Sequence, residues 1–290
     1  MKKKEVIMIG GDTRQRFMAA KLLEYGYEVS GYGEVFQNAL SGMTYLNTVE
    51  AVWEKLEKKG SFVVFPVPVT TDGTHIKGTG NTICISDICP HMKEKEKIYG
   101  GNIPKGMRAD CEMKQGQCMD FMKSDRIAIL NAVSTAEGAI AEACALGSSQ
   151  LTGSQCLVIG YGRCGEILAD KLSKFGADVT VMARREGTRA RARAYGLSSC
   201  SFQLEEAKPD RFSYIFNTVP DMIVDKKFLK MCNQDVAIID IASAPGGVDF
   251  EYAKVQGIAA KLCLGLPGKY APKTAGEILA EEIRKEKEQS

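Results

Sequence analysis

At 290 residues, 44% apolar and 26% charged, the chain has the balance of a soluble globular protein, long enough for one large or two ordinary domains. Lysine and arginine number 38 against 36 acidic residues, and this net charge of +2 gives no electrostatic basis for a nucleic-acid or membrane-surface partner. Ten cysteines are scattered without a Cys-x-x-Cys pair, and only His75 and His91 could join them as ligands. That usage argues for a reduced, cytoplasmic protein with neither a disulfide framework nor a metal site.

The basic start Met1-Lys2-Lys3-Lys4 precedes an apolar run of only four residues, 6–9. A secretion signal needs roughly 7 to 15. The run reads instead as a first strand, and no other stretch is expected to span a bilayer. Short apolar runs then alternate with amphipathic stretches, the pattern of βα units on a parallel sheet. Further strands are expected at 28–31, 62–65, 82–85 and 97–99. Residues 13–25 and 48–58 read as helices with apolar faces at Phe17, Ala20, Leu23 and at Val49, Val52, Trp53, Leu56. Gly26 suits the end of the first. Residues 111–123 read as a polar helix, 127–130 as a strand leading to Asn131, and about 135–146 as a long helix.

Gly147-Ser148-Ser149 marks a hinge, giving a first domain at 1–147 and a second at 148–271. The second is the more regular. Its strands are expected at 156–159, 179–183, 214–217, 237–241 and 260–264, followed by an amphipathic helix within 272–288.

The strongest motif is Gly160-Tyr161-Gly162-Arg163-Cys164-Gly165, which follows the strand run Gln155-Cys156-Leu157-Val158-Ile159 and opens a helix. Gly160 would make the tight turn, Gly162 would admit a pyrophosphate, and Gly165 would let helix and strand pack closely. Arg163 and Cys164 would present helix-N-terminal N–H groups to phosphate. About 20 residues on, where an NAD site places an acid, stands Ala183-Arg184-Arg185. Guanidinium groups there would pair with a 2′-phosphate, which favours NADP over NAD. The plain alternative is solvated surface charge, since the run continues with Arg189, Arg191 and Arg193. Later strand ends add Thr218, Val219 and Pro220, then Ala242 and Ser243, then Leu266 and Pro267 as cofactor-facing candidates.

Several segments resemble the A-subunit family of dipicolinate synthase from spore-forming bacteria. They are Gly10-Gly11-Asp12-Thr13-Arg14-Gln15, Thr135-Ala136-Glu137-Gly138-Ala139-Ile140, the Gly160 loop, and Asn217-Thr218-Val219-Pro220. Residues 242–250, Ala-Ser-Ala-Pro-Gly-Gly-Val-Asp-Phe, and 265–276, Gly-Leu-Pro-Gly-Lys-Tyr-Ala-Pro-Lys-Thr-Ala-Gly, complete the set. The matched motifs lie outside 88–118. The resemblance implies an α/β chain of two doubly wound Rossmann-like domains, arranged as in formate/glycerate and alanine dehydrogenases, with the last helix returning to the first domain. It implies oxidation of dihydrodipicolinate to dipicolinate with NADP, beside a flavoprotein-like B subunit, in the mother-cell cytoplasm during sporulation.

A substrate with two carboxylates asks for cations and hydroxyls. Arg14 and Lys273 are the cationic candidates, and Thr70, Thr71, Ser134 and Thr135 the hydroxyl donors. Glu137 is the candidate base, although a first-turn acid that favours the helix dipole is an equal reading. A 2-hydroxyacid dehydrogenase would need a histidine from the cofactor domain, and no histidine follows His91. An alanine-dehydrogenase-like enzyme, a non-catalytic NADP-binding subunit completed by its partner, and a homo-oligomer all stay open.

Overall fold

The computed structural model describes residues 4–38, 40–58 and 61–288, so Met1, Lys2 and Lys3 of the basic start lie outside the described residues. The chain divides into two compact units, Met1–Ala128 with Ala271–Ser290, and Ile129–Tyr270.

The first unit begins with β1 (Glu5–Ile9), α1 (Thr13–Glu24), β2 (Glu28–Tyr32), β3 (Met43–Tyr45), α2 (Val49–Leu56) and β4 (Ser61–Val64). It continues through α3 (Ile85–His91), β5 (Lys97–Gly100), α4 (Lys105–Met113) and β6 (Gln117–Asp120) to the start of α5 (Asp125–Leu146). All six strands are parallel, in the order β3-β2-β1-β4-β5-β6. Both faces of the central strands are covered, so Val6, Ile7, Met8 and Ile9 are all wholly buried in an unbroken apolar run.

The second unit carries β7 (Gln155–Ile159), α6 (Arg163–Lys174), β8 (Asp178–Met182), α7 (Glu186–Ala194), β9 (Ser198–Cys200) and α8 (Leu204–Ala207). It then runs through β10 (Tyr214–Asn217), α9 (Lys226–Lys230), β11 (Ala237–Asp240), α10 (Phe250–Val255), β12 (Ala259–Leu262) and α11 (Leu266–Tyr270). Its parallel sheet has the order β12-β11-β10-β7-β8-β9. Counted from each unit's first strand, both sheets have the doubly wound order 3-2-1-4-5-6. The last helix, α12 (Pro272–Glu288), belongs to the first unit and packs on α1. Gly276 permits that contact, because a Cβ there would stand 2.3 Å from the Arg14 carbonyl oxygen.

Local chemistry explains where the sequence-based elements differ. Residues 127–130 are helix, because Ser124 caps α5 through its Oγ to the Ile127 amide at 3.3 Å and the alanines that follow propagate it. The units therefore part inside α5, at Ala128/Ile129, and not at Gly147. With the strand gone, α5 is long and apolar enough to cross a membrane, which the sequence reading missed, yet half of its most apolar 18-residue stretch is buried inside the protein. Residues 111–123 are the end of α4 and the strand β6, separated by Gln115 at positive φ and by Gly116. Residues 82–84 form a loop leading into α3, which Ile85 opens. β3, β6 and β9 went unpredicted; each is a short sheet edge, half solvated and weak in apolar periodicity.

Candidate functional site

In the second unit the loop after β7 turns at Gly160, whose φ of +91° lies in the region open to glycine. Gly165 fits directly beneath it, since a Cβ there would stand 2.3 Å from the Gly160 carbonyl oxygen. Thr218 closes the loop from the β10 side, its Oγ1 donating to the Ile159 carbonyl at 2.9 Å. Gly162 is different. It is extended backbone at the N-cap of α6, and a Cβ built there meets nothing within 4 Å. No side chain caps α6. Cys164, in the first turn, has its thiol pKa raised by burial, which keeps it protonated beside that space.

One groove joins Gly160 and Gly162 to Arg184, Arg185 and Val219. Thr188 and Phe202 also line it and were missed by sequence reasoning. Thr188 carried a usable signal, as a hydroxyl in the first turn of α7, but Phe202 follows the unrecognised strand β9. The arginines after β8 separate into two kinds. Arg189 donates to the Ala183 and Arg184 carbonyls at 2.7 and 2.8 Å and pairs with Glu186. Arg193 holds the same Glu186 carboxylate at 2.5 Å, and Arg191 pairs with Glu166 at 3.0 Å. Hydrogen bonds from Arg193 and Arg189 hold the Glu186 carboxyl below its usual pKa. Arg184 and Arg185, both exposed, have no partner for their guanidinium groups among the described residues.

Beneath the groove, wholly buried Asn217 and Asp240 tie two strand-end loops together. Asn217 Nδ2 donates to Asp240 Oδ1 and to the Val219 carbonyl, both at 2.9 Å. Asp240 also accepts from the Ala242 amide at 3.0 Å and the Gly247 amide at 2.8 Å. Ala242 is thus a buried backbone contributor, whereas Ser243 and Pro220 are exposed at the loop surfaces. Leu266 packs into the core against Gly138 of α5, which fits a structural side chain better than a cofactor contact; Pro267 beside it is half-buried.

The substrate candidates are spread over several environments. Arg14 is buried in the first unit, pairing with Asp12 at 2.7 Å and donating to the Val67 carbonyl. Burial pushes the Asp12 carboxyl up, but hydrogen bonds and charge from Arg14 and Lys77 outweigh it and hold it well below the carboxylate range. Thr70 closes a turn, bonding Asp72 and accepting from the Gly73 amide, each at 3.0 Å, and Thr71 is exposed beside it. Lys273 is exposed in the first turn of α12. Ser134 is buried within α5, and Thr135 spends its hydroxyl on the Asn131 carbonyl at 2.8 Å, so neither is a free donor at a strand end. Glu137 pairs with Lys171 at 2.9 Å. Lys171 lies two turns into α6, about 12 Å along the helix from the Gly160 loop. The Glu137 carboxylate is the half-exposed partner of Lys171.

An ion cluster around buried Glu142 ties β12 and the unusual segment 265–270 to α5. The Glu142 carboxylate, 4% exposed, takes Lys261 at 2.6 Å and Lys269 at 2.5 Å. Hydrogen bonds from Lys261 and then Lys269 lower its pKa from the usual 4.5 to about 2. Because the folded value is depressed, the stabilisation is present above pH about 4.5 and is lost as pH falls towards 2. In urea titrations Glu142→Gln is expected to be less stable than wild type near neutrality, with the gap closing between pH 4.5 and 2. A gap independent of pH would show that the charge contributes nothing.

Two family models match the chain: the N-terminal domain of the dipicolinate synthase A subunit over residues 5–122, and a putative NAD(P)-binding domain over residues 148–253. Among solved structures, a transhydrogenase from Sinorhizobium meliloti aligns at a TM-score of 0.71, covering 98% of this chain and 93% of that one; at 11% identity it speaks for the fold alone. Two Rossmann-like units, one of them an NAD(P)-binding domain, place the protein among the nicotinamide-dinucleotide oxidoreductases. The dipicolinate synthase A subunit of Bacillus subtilis (strain 168) is 31% identical over 97% of this chain and 95% of its own length. The crystal structure of the dipicolinate synthase A subunit from Bacillus halodurans aligns at a TM-score of 0.86 with 30% identity, covering 97% of each chain. The chain belongs to the A-subunit family of dipicolinate synthase.

Proposed function

We propose that this chain is an NADP-dependent oxidoreductase subunit that converts dihydrodipicolinate to dipicolinate, working beside a flavoprotein-like B subunit in the mother-cell cytoplasm of a sporulating bacterium. The observation that carries the NADP reading is the contrast among the arginines after β8. Arg189, Arg191 and Arg193 are consumed by Glu186, Glu166 and backbone carbonyls, while Arg184 and Arg185 have no partner among the described residues and line the groove with Gly162.

The residues present fit the dinucleotide. The uncapped N-terminus of α6 and the open Cα of Gly162 would receive the pyrophosphate, and Arg184, Arg185 and Thr188 the 2′-phosphate. NADP, when bound, supplies the hydride acceptor. Arg14 is the candidate cation for a substrate carboxylate. Aromatisation is downhill, so the protein's part is to hold the dihydropyridine ring in place and to let a ring proton leave.

The test is direct. The purified chain, alone and with the B subunit, is supplied with freshly generated dihydrodipicolinate and either NADP or NAD, and reduced cofactor is followed by absorbance. Reduction of NADP in preference to NAD is expected. No reduced cofactor in either arm would overturn the reading.

A further inference from the structure

The first unit repeats the strand order of the second, so Gly10-Gly11-Asp12-Thr13 stands where the second unit carries its dinucleotide loop. The likeness stops at the backbone. The Gly11 amide donates to the Lys77 carbonyl and the Gly10 amide to the Tyr32 carbonyl, both at 2.7 Å. The Asp12 amide donates to Gln15 Oε1 at 2.9 Å, and the Asp12 side chain caps α1. The segment carrying Lys77 and Gly78 runs across the loop with no room to spare. A Cβ on Gly10 would stand 2.3 Å from the Lys77 carbonyl oxygen, and one on Gly78 would stand 2.2 Å from that of Gly11. The amides and the space a pyrophosphate needs are already taken by the chain itself, and a carboxylate sits at the helix start.

What the loop offers instead is cationic side chains. Arg14 Nε and Nη2 reach Asp12 at 2.9 and 2.7 Å, and Lys77 Nζ reaches the same carboxylate at 2.8 Å. Two positive charges on one negative leave the cluster at +1. Arg14 Nη1 makes no hydrogen bond among the described residues, and the Arg14 and Lys77 side chains keep 10% and 29% exposure. In the same turn Gln15, 1% exposed, leaves its Nε2 donor with no acceptor. An unanswered buried donor is destabilising, and a ligand acceptor would answer it. Charged groups are kept this close to burial at the switch point of a parallel sheet where ligands bind. A net charge of +1, with a partly used planar fork beside a point charge, suits a carboxylate better than a doubly charged phosphate.

We infer that the first unit has turned its dinucleotide position into a carboxylate-binding site, in which Lys77 acts with Arg14 to hold one carboxylate of a small dicarboxylate. This rests on the dicarboxylate substrate proposed above and adds Lys77 to it. Asp12 keeps the two cationic heads together and in place.

Titration calorimetry on the full chain tests it, using wild type, Lys77→Met and Lys77→Arg with dipicolinate, glutarate, inorganic phosphate and NADP as probes. Lys77→Met is expected to weaken dicarboxylate binding at least about tenfold, and Lys77→Arg by no more than about threefold. NADP binding should stay unchanged and phosphate should bind far more weakly than either dicarboxylate. Melting temperatures are compared throughout, and Lys77→Gln serves as the neutral variant if Lys77→Met does not fold. Dipicolinate affinity untouched by loss of the charge overturns the inference and leaves the proposed function standing. Binding of glutarate but not dipicolinate, dependent on Lys77, upholds the site and overturns dihydrodipicolinate as substrate. Tighter binding of phosphate than of either dicarboxylate, or no dicarboxylate binding by wild type, overturns the site.

Discussion

Gly162→Val is expected to weaken NADP binding by at least about a hundredfold, some 2.7 kcal/mol, while leaving the melting temperature close to that of wild type. The reasoning rests on the space around that one Cα. Gly162 is extended and nothing lies within 4 Å of a Cβ built on it, so the unliganded fold can accept a side chain. The same space is where a pyrophosphate must approach the α6 N-terminus, and an isopropyl group would fill it. Gly165 is the contrasting control. Its Cβ would stand 2.3 Å from the Gly160 carbonyl oxygen, so Gly165→Val should lose binding and also about 1–3 kcal/mol of stability through overpacking. Calorimetric titration with thermal melts separates the two. Normal NADP binding by Gly162→Val would reduce the loop to a structural turn.

Replacing Arg184 and Arg185 together by alanine should cost about 2–3 kcal/mol of NADP affinity, if each makes one charge-assisted hydrogen bond to the 2′-phosphate. NAD, which lacks that phosphate, should bind the double variant about as it binds wild type. Arg193→Ala is the matched control. It removes one positive charge nearby, against two in the double variant, and that one is already spent on Glu186 at 2.5 Å, in a solvent-screened surface pair of little energetic weight. Its effect on NADP should be small. Equal losses from the double variant and from Arg193→Ala would mean that general charge, not a specific pair, attracts the cofactor.

Much of the candidate dinucleotide site was legible because the chemistry is local. Gly160, Gly162 and Gly165 sit within six residues of a buried strand, and the fingerprint's distance to Arg184 and Arg185 is set by one helix and one strand. Central strands such as β1, β7 and β10 were legible for a related reason: burial on both faces demands a continuous apolar run. Edges β3, β6 and β9 are half solvated and carry no such demand. Residues 127–130 were misread because a four-residue apolar run looks the same in a strand and in a buried helix; the Ser124 cap decided it.

The sequence by itself determined the βα alternation, the glycine-rich loop after β7 and the likeness to the dipicolinate synthase A subunit, since each depends on residues close together in the chain. Tertiary structure alone decided which charges are available. Five arginines between 184 and 193 look equivalent in the sequence, yet three are consumed by partners up to 30 residues away. Glu137 pairs with Lys171, 34 residues on, and Arg14 shares the Asp12 carboxylate with Lys77, 63 residues on. The reason is that pairing falls off within a few ångströms in space, while the residues that meet are separated by any distance along the chain.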